Sequence, residues 1–201
     1  MPRAQCPRCQ RPLVQCLCAL IPQLPSCTRV LILQHPQEAK HALNTARLAA
    51  LGLPNSELRC AEVFEELPEL LNDPQWQSCL LFPGAQSEPV AAFANNHPLK
   101  PLQLVVPDGT WRKVRKLLYL NPLLEQLPRV TLATLTASRY RLRKAPMQDA
   151  LSTLEAIVRA LNEVEGAGRF DPLLAPFDAL IEGQIAAMGQ LTYQRNHQQA
   201  E

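Results

Sequence analysis

Three short apolar segments, each followed by a proline, constrain the fold of this 201-residue chain more than any other feature. They cover residues 28–34, 78–82 and 102–106, and a proline follows each of them within two residues. Apolar side chains occupy odd and even positions alike, which is typical of a strand buried on both faces of a parallel sheet. The sequence therefore predicts several buried strands that end abruptly.

Helical patterns alternate with these strands. Residues 37–51 are predicted to form one helix, residues 151–161 carry apolar side chains at steps of three and four, and a last helix is expected from about Asp171. This alternation predicts an α/β fold with a largely parallel central sheet and flanking helices. Ligands bind beyond the carboxyl ends of the strands in such sheets, so the loops after Phe82 and Val106 are the predicted site. Weaker predictions are strands over residues 58–64 and 130–135 and a short helix over residues 65–71.

Four of the seven cysteines lie within the first eighteen residues, as Cys6, Cys9, Cys16 and Cys18. Four thiolates can complete the tetrahedral coordination shell of a structural zinc ion. Few apolar residues lie nearby, so metal binding would supply the free energy that orders this segment. The spacing also leaves open a redox dithiol or thiols without a ligand.

The other three cysteines, Cys27, Cys60 and Cys79, lie among apolar residues and are predicted to be small buried side chains. The chain begins without the apolar stretch of a secretory signal, and none of its apolar runs is long enough to cross a bilayer. These features predict a cytoplasmic protein with reduced thiols and no membrane contact.

Basic residues are concentrated in the middle of the chain, although the formal net charge is only +2. Residues 100–144 contain ten basic and two acidic side chains, and a phosphate backbone responds to such a local field. The alternative is that folding brings these charges beside acidic segments, and for residues 139–144 it is a solvated edge without a partner. The candidate RNA-binding side chains in this stretch are Arg112, Lys113, Arg115, Lys116, Arg139, Arg141, Arg143 and Lys144.

Asp108 follows the third apolar segment, at the predicted edge of the sheet. Gly109 permits a sharp turn there, and Thr110 is a candidate cap for a helix that begins at about Trp111. A carboxylate beside a helix N-terminus is suited to accept a proton, and an Asx turn is the alternative. His35 also follows a strand and is predicted to structure its loop, with catalysis as the alternative.

The tetrapeptide Asp108-Gly109-Thr110-Trp111 matches the Asp-x-Thr-Trp motif of the DTW-domain family. Five more segments match in order, so the resemblance covers the chain from Cys6 to about Glu155. They are Leu33-Gln34-His35-Pro36-x-Glu38, Asn44-Thr45-x-Arg47-Leu48, Leu81-Phe82-Pro83-Gly84, Arg139-Tyr140-x-Leu142-Arg143 and Ser152-Thr153-x-Glu155-Ala156. The chain resembles the bacterial tRNA-uridine aminocarboxypropyltransferases of this family.

The resemblance implies an enzyme that takes the 3-amino-3-carboxypropyl group of S-adenosylmethionine and releases methylthioadenosine. The acceptor would be N3 of a uridine in the variable loop of tRNA, and Asp108 would be the base that removes the N3 proton. A SPOUT-like, knotted α/β fold is also implied, which sequence patterns alone do not reveal. The residues that the resemblance places in the S-adenosylmethionine pocket are Pro83, Gly84, Thr110, Trp111, Ser152 and Thr153.

The expected organisation is a zinc-binding segment over residues 1–27 and a transferase domain over residues 28–201, with a monomer favoured. Two functions of other classes stay open at this stage. One is a zinc-containing RNA-binding module without catalysis. The other is a small-molecule transferase whose basic residues bind an anionic substrate.

Overall fold

The computed structural model describes residues 4–133, 138 and 151–189, and a parallel sheet runs through the centre of this part of the chain. Its strands are, in chain order, β1 (Arg29–Gln34), β2 (Ser56–Cys60), β3 (Gln77–Leu81), β4 (Glu88–Pro89), β5 (Leu102–Asp108) and β6 (Arg129–Thr131). Their order across the sheet is β2-β1-β5-β3-β6-β4, and all neighbours are parallel. The three predicted apolar strands are confirmed as its centre.

Helices connect the strands and cover both faces of the sheet. The described α-helices are α1 (Pro36–Ala39), α2 (Ala46–Gly52), α3 (Leu67–Leu71), α4 (Val90–Asn96), α5 (Trp111–Leu120), α6 (Pro122–Glu125), α7 (Thr153–Glu165) and α8 (Ala175–Met188). Short 3-10 turns cover Leu13–Gln15, Cys18–Leu20 and Asp171–Leu174. The α/β fold with a parallel central sheet and flanking helices is thus confirmed.

Strand β5 continues two residues beyond the predicted segment and includes a proline. The His35 N–H donates to the Asp108 carbonyl at 3.0 Å, so the Asp108 backbone is directed toward β1. The backbone of Pro107 is therefore directed toward β3, whose pairing with β5 has already ended at Val105. Because Pro107 has no N–H, it could not donate to β3, but no hydrogen bond of the sheet is lost there. The strand therefore continues to Asp108, which lies at the carboxyl edge of the sheet.

The single helix predicted over residues 37–51 is wrong, because the chain forms α1 and α2 with a break between them. The side chain of Asn44 explains the break. Its Nδ2 donates to the carbonyls of Glu38 at 3.3 Å and Ala39 at 3.2 Å, at the end of α1. Its Oδ1 accepts from the N–H of Arg47 at 3.2 Å, at the start of α2. One asparagine thus satisfies backbone groups of both helices.

The weaker predictions hold in part. The predicted strand over residues 58–64 is β2, which begins and ends earlier, and the predicted helix over residues 65–71 is the shorter α3. The predicted strand over residues 130–135 is β6, although residues 134 and 135 lie outside the described part. The stripe predicted over residues 151–161 is confirmed for Leu154, Val158 and Leu161, which are buried, whereas Leu151 precedes α7 and is half-buried.

Two separate apolar cores lie on the two faces of the sheet. Ile32 and Val106 face α2, α4, α7 and α8, whereas Leu31 and Val105 face α3, α5 and α6. We call residues 4–27, which hold the four clustered cysteines, the cysteine segment. The first core also includes Leu17, so the cysteine segment packs on the same core as the sheet. The proposed boundary after residue 27 stays a prediction. None of the described helices is long and apolar enough to span a membrane.

Candidate active site and metal centre

Asp108 is held at the carboxyl edge of the sheet by side chains from two other elements. Gln34, its register partner at the end of β1, donates from Nε2 to Asp108 Oδ2 at 2.7 Å. The hydroxyl of Thr153, the first residue of α7, donates to Asp108 Oδ1. Asp108 is only 8% exposed, so its carboxylate has a fixed direction beneath the surface.

The amide of Gln34 is fully buried and joins two neighbouring polar side chains. The nitrogen that donates to Asp108 also donates to Asn44 Oδ1 at 3.3 Å. The oxygen Oε1 is buried and has no hydrogen-bond partner within the described chain. An unsatisfied buried acceptor costs about 1–3 kcal/mol, and Gln103 Oε1, near the start of β5, is buried without a partner in the same way.

His35 and Glu38 hold the start of α5 against the residues after β1. His35 is buried and accepts from the N–H of Gln37 at Nδ1, which caps α1. Its Nε2 lies 3.0 Å from Glu62, and Lys113 Nζ lies 2.7 Å from Glu38. The predicted structural role of His35 is therefore confirmed, and these bonds position the turn that contains Asp108.

The loop after β3 contacts the start of α5. The guanidinium of Arg129 donates to the Pro83 carbonyl at 3.1 Å, and a Cβ at Gly84 would lie 2.7 Å from Arg129 Cδ. The rings of Phe82 and Trp111 are 5.3 Å apart. Trp111 is 38% exposed although it lies on the apolar side of α5, so it is not a core residue.

The remaining predicted pocket residues lie at the starts of two helices. Thr110 is the N-cap residue of α5, but its hydroxyl makes no capping bond. Ser152 caps α7 in a capping box with Glu155. The Ser152 hydroxyl accepts from the Glu155 N–H, and the Ser152 N–H donates to the Glu155 carboxylate. Glu155 also accepts from the hydroxyl of Ser138 at 2.9 Å and 3.0 Å. The predicted pocket residues thus converge at the carboxyl ends of β3 and β5, with Ser152 serving mainly to place Thr153.

The predicted RNA-binding residues of α5 differ in their surroundings. Arg112 and Arg115 are exposed, whereas Lys113 and Lys116 form ion pairs with Glu38 and Glu62. The bond from Lys116 lowers the pKa of Glu62. The others, Arg139, Arg141, Arg143 and Lys144, lie outside the described residues.

The four cysteines near the start of the chain form a compact cluster whose Sγ atoms all lie within 4.8 Å of one another. The Sγ atoms of Cys6 and Cys18 are 3.6 Å apart, and those of Cys9 and Cys16 are 3.8 Å apart. A tetrahedral zinc ion with bonds of about 2.3 Å to sulfur requires sulfur–sulfur separations of about 3.8 Å. The donor set and its geometry therefore fit zinc.

The thiols of this cluster differ in how readily they ionise. The backbone N–H groups of Cys9 and Arg8 lower the pKa of the Cys6 thiol to about 6, which favours the thiolate, whereas burial raises the pKa of Cys18 to about 12. The N–H of Cys6 donates to the Arg11 carbonyl at 2.7 Å, and the N–H of Gln10 donates to the Cys6 carbonyl at 2.8 Å. These bonds fold the first two cysteines into a tight turn.

The prediction that the other three cysteines are buried is wrong for two of them. Cys27 and Cys60 are exposed, and only Cys79 is buried. Cys60 ends β2, which is an edge strand with one neighbour, and Cys27 lies in the connection before β1. An apolar local sequence does not bury a residue at an edge.

Comparison with known proteins identifies the family. The model of the DTW domain matches residues 3–185 of the chain. The chain belongs to the DTW-domain family. The range matched by the DTW domain includes Asp108 and the four clustered cysteines. The family expected from the sequence is thus confirmed.

The relatives of this DTW-domain chain are named tRNA-uridine aminocarboxypropyltransferases. The chain is 32% identical over 203 residues to tRNA-uridine aminocarboxypropyltransferase 2 of Macaca fascicularis, and the match covers 97% of this chain and 68% of that protein. It is 31% identical over 199 residues to the Drosophila melanogaster protein of that name, covering 91% and 76%. It is 26% identical over 196 residues to tRNA-uridine aminocarboxypropyltransferase A of Arabidopsis thaliana, covering 83% and 74%. These relatives are animal and plant proteins, and a bacterial origin stays a prediction. No solved structure matches the chain.

Proposed function

We propose that the chain is a tRNA-uridine aminocarboxypropyltransferase that modifies N3 of a uridine in the variable loop of tRNA. The relatives that carry this enzyme name match the chain over most of its length. The observation that carries the proposal is the buried carboxylate of Asp108, held at the carboxyl edge of the sheet by Gln34 and Thr153. This is where ligands bind in parallel sheets.

S-adenosylmethionine would supply an electrophilic carbon of the 3-amino-3-carboxypropyl group, with methylthioadenosine as the leaving group. The residues around Asp108 fit such a molecule. Trp111 offers an exposed ring beside Phe82, and the Thr110 hydroxyl makes no capping bond. Gln34 Oε1 is a buried acceptor that a donor group of the ligand would satisfy. Pro83, Gly84, Ser152 and Thr153 complete the proposed pocket.

Asp108 would accept the proton of uridine N3. The electron pair left on N3 then forms the bond to carbon while the carbon–sulfur bond breaks, and the proton stays on the carboxylate. Gln34 and Thr153 contribute by fixing the direction of the two carboxylate oxygens. Catalysis of this kind depends on N3 approaching the carbon in line with the departing sulfur while the base lies within hydrogen-bond distance of the N3 proton, so these two side chains are positioning residues.

The proposed RNA contacts come from the basic stretches and the cysteine segment. Arg112 and Arg115 are exposed on α5, where their guanidinium groups could bind phosphates. The zinc ion would be structural, because four thiolates leave no open coordination position. We also propose a cytoplasmic monomer in which the four clustered cysteines hold zinc instead of forming disulfides.

A SPOUT-like knot is proposed for the transferase domain, which would cover residues 28–201. Thr131 ends β6, two strands away from β5, whereas Thr153 contacts Asp108 at the end of β5. The two ends of this connection therefore lie on opposite sides of the carboxyl end of β3. A threaded connection is compatible with that placement, and an experimental structure would test it by tracing the chain.

The test of the proposed function is mass analysis of tRNA nucleosides after incubation with S-adenosylmethionine. The wild-type chain is expected to produce 3-(3-amino-3-carboxypropyl)uridine and methylthioadenosine. Asp108→Asn keeps the shape of the side chain but removes the base, so product should be lost while tRNA affinity is retained.

Each alternative function gives a different result in this assay. An RNA-binding module would bind tRNA and release no methylthioadenosine. A small-molecule transferase would leave the tRNA nucleosides unchanged and would release methylthioadenosine only after its small-molecule acceptor is added. Undiminished product from Asp108→Asn would reject the catalytic assignment.

A further inference from the structure

A cleft of about 780 Å³ lies between the cysteine segment and the connection from α1 to α2. Cys6 and Cys9 contribute to one wall, and residues 39–48 contribute to the other. Arg11 joins the walls, because its guanidinium donates to the carbonyls of Ala42 at 2.8 Å and Asn44 at 3.2 Å. Metal binding by the cysteines would therefore fix the shape of this cleft.

The lining of this cleft carries one sign of charge. Apart from the cysteines, its ionisable residues are Arg11, Lys40, His41 and Arg47, and no acidic side chain lines it. Within the described chain, Lys40 and Arg47 form no ion pair. We call this feature the basic cleft. Its cations attract an anion more strongly than lysines that already pair with glutamates do.

Asn44 and Gln34 connect the basic cleft to Asp108. Asn44 lines the cleft, and its Oδ1 accepts from Gln34 Nε2 at 3.3 Å. The same nitrogen donates to Asp108 Oδ2 at 2.7 Å. A single buried glutamine therefore separates the basic cleft from the candidate base. RNA carries one phosphate per nucleotide, so a strand with one nucleotide at Asp108 would place neighbouring phosphates near the cleft.

We propose that the basic cleft binds the sugar–phosphate backbone of tRNA beside the nucleotide that reaches Asp108. The proposal rests on the proposed function, because it takes tRNA as the substrate. The volume lies in the range of pockets that hold ligands of ordinary size, so the cleft has room for more than a single ion. The cysteine segment thereby acquires a role in substrate binding, as one wall of this cleft.

A matched pair of lysine variants tests the proposal. Lys40→Gln removes one exposed charge from the basic cleft, and Lys100→Gln removes one exposed charge from the opposite edge of the sheet, before β5. The dissociation constant for tRNA is measured with the zinc-loaded full chain over a range of salt concentrations. Lys40→Gln should weaken binding about three- to tenfold and reduce the slope of log affinity against log salt by about 0.7–0.9.

Arg47→Gln should have the same effect, whereas Lys100→Gln should bind like the wild type. In the modification assay, Lys40→Gln should raise KM for tRNA and leave kcat unchanged. Circular dichroism and zinc content show whether each variant is folded. If Arg47→Gln is unfolded, the result for Lys40→Gln alone tests the proposal.

If Lys40→Gln binds tRNA with the affinity and salt dependence of the wild type, the proposal is overturned. The same result is expected if the cleft binds an acidic protein segment instead of RNA. The proposed chemistry fails separately. If the wild-type chain makes no modified nucleoside, that chemistry is refuted, and the binding slopes still decide whether the basic cleft holds RNA.

Discussion

Single side chains decide the properties of the Asp108 carboxylate. Each of its oxygens accepts a hydrogen bond from a different element, β1 through Gln34 and α7 through Thr153. Hydrogen bonds to a charged group contribute more than those between neutral groups, about 1.5–3 kcal/mol. The direction of the carboxylate is thus set by residues far apart in the chain.

Removal of the Thr153 hydroxyl should slow the chemical step without affecting tRNA binding. Thr153→Val keeps the volume of the side chain but removes the donor to Asp108. The loss of such a bond predicts a fall in kcat of about 10- to 100-fold with little change in KM for tRNA. Thr153→Ser retains the donor and should retain most of the activity. Equal losses in both variants would contradict this positioning role.

At the scale of elements, the break between α1 and α2 creates one wall of the basic cleft. Asn44 makes this break by bonding to the end of one helix and the start of the next. A continuous helix through residues 37–51 would satisfy its own backbone groups and leave no cleft wall there. A local interruption of helix therefore serves the site directly.

Asn44→Ala should destabilise the fold by about 1–3 kcal/mol, because it leaves backbone groups of two helices without their partner. Urea unfolding followed by circular dichroism measures this change. Asn96→Ala is the matched control, since Asn96 ends α4 and makes one exposed bond to Glu88. It should cost less than about 0.5 kcal/mol. A similar small cost for Asn44→Ala would mean that its bonds do not cause the break.

At the scale of the whole molecule, the cysteine segment is joined to the sheet in two ways. Leu17 and Ile21 belong to the core that also covers one face of the sheet. Arg11 binds the connection between α1 and α2. Metal loss should therefore change the basic cleft while the two cores of the sheet persist.

Thiol titration and metal analysis test this organisation. The purified chain should contain about one zinc ion, the content of a single four-thiolate site. Of the seven cysteines, only Cys27 and Cys60 should react in the zinc-loaded protein, Cys60 more slowly because partial burial raises its pKa, and chelation should add the four clustered thiols. Cys79 should react only on unfolding, because burial raises its pKa to about 12. Six reactive thiols in untreated protein would contradict the metal site.

Much of the fold follows from local composition. Residues 28–34, 78–82 and 102–106 are apolar at both parities and end at prolines, which favours central parallel strands with both faces buried. The cysteine spacing and the position of Asp108 after a strand are local in the same sense. The Asp-x-Thr-Trp motif likewise identified the family from contiguous residues.

The sequence by itself determined the three central strands, the α/β class, the cysteine cluster and the family. Only the tertiary structure decided that Gln34 contacts Asp108, that Trp111 is exposed, and that Cys60 lies at an uncovered edge. The same holds for the cleft between the cysteine segment and the α1–α2 connection. Local patterns report how a segment prefers to fold, whereas burial and charge pairing depend on residues brought together from distant parts of the chain.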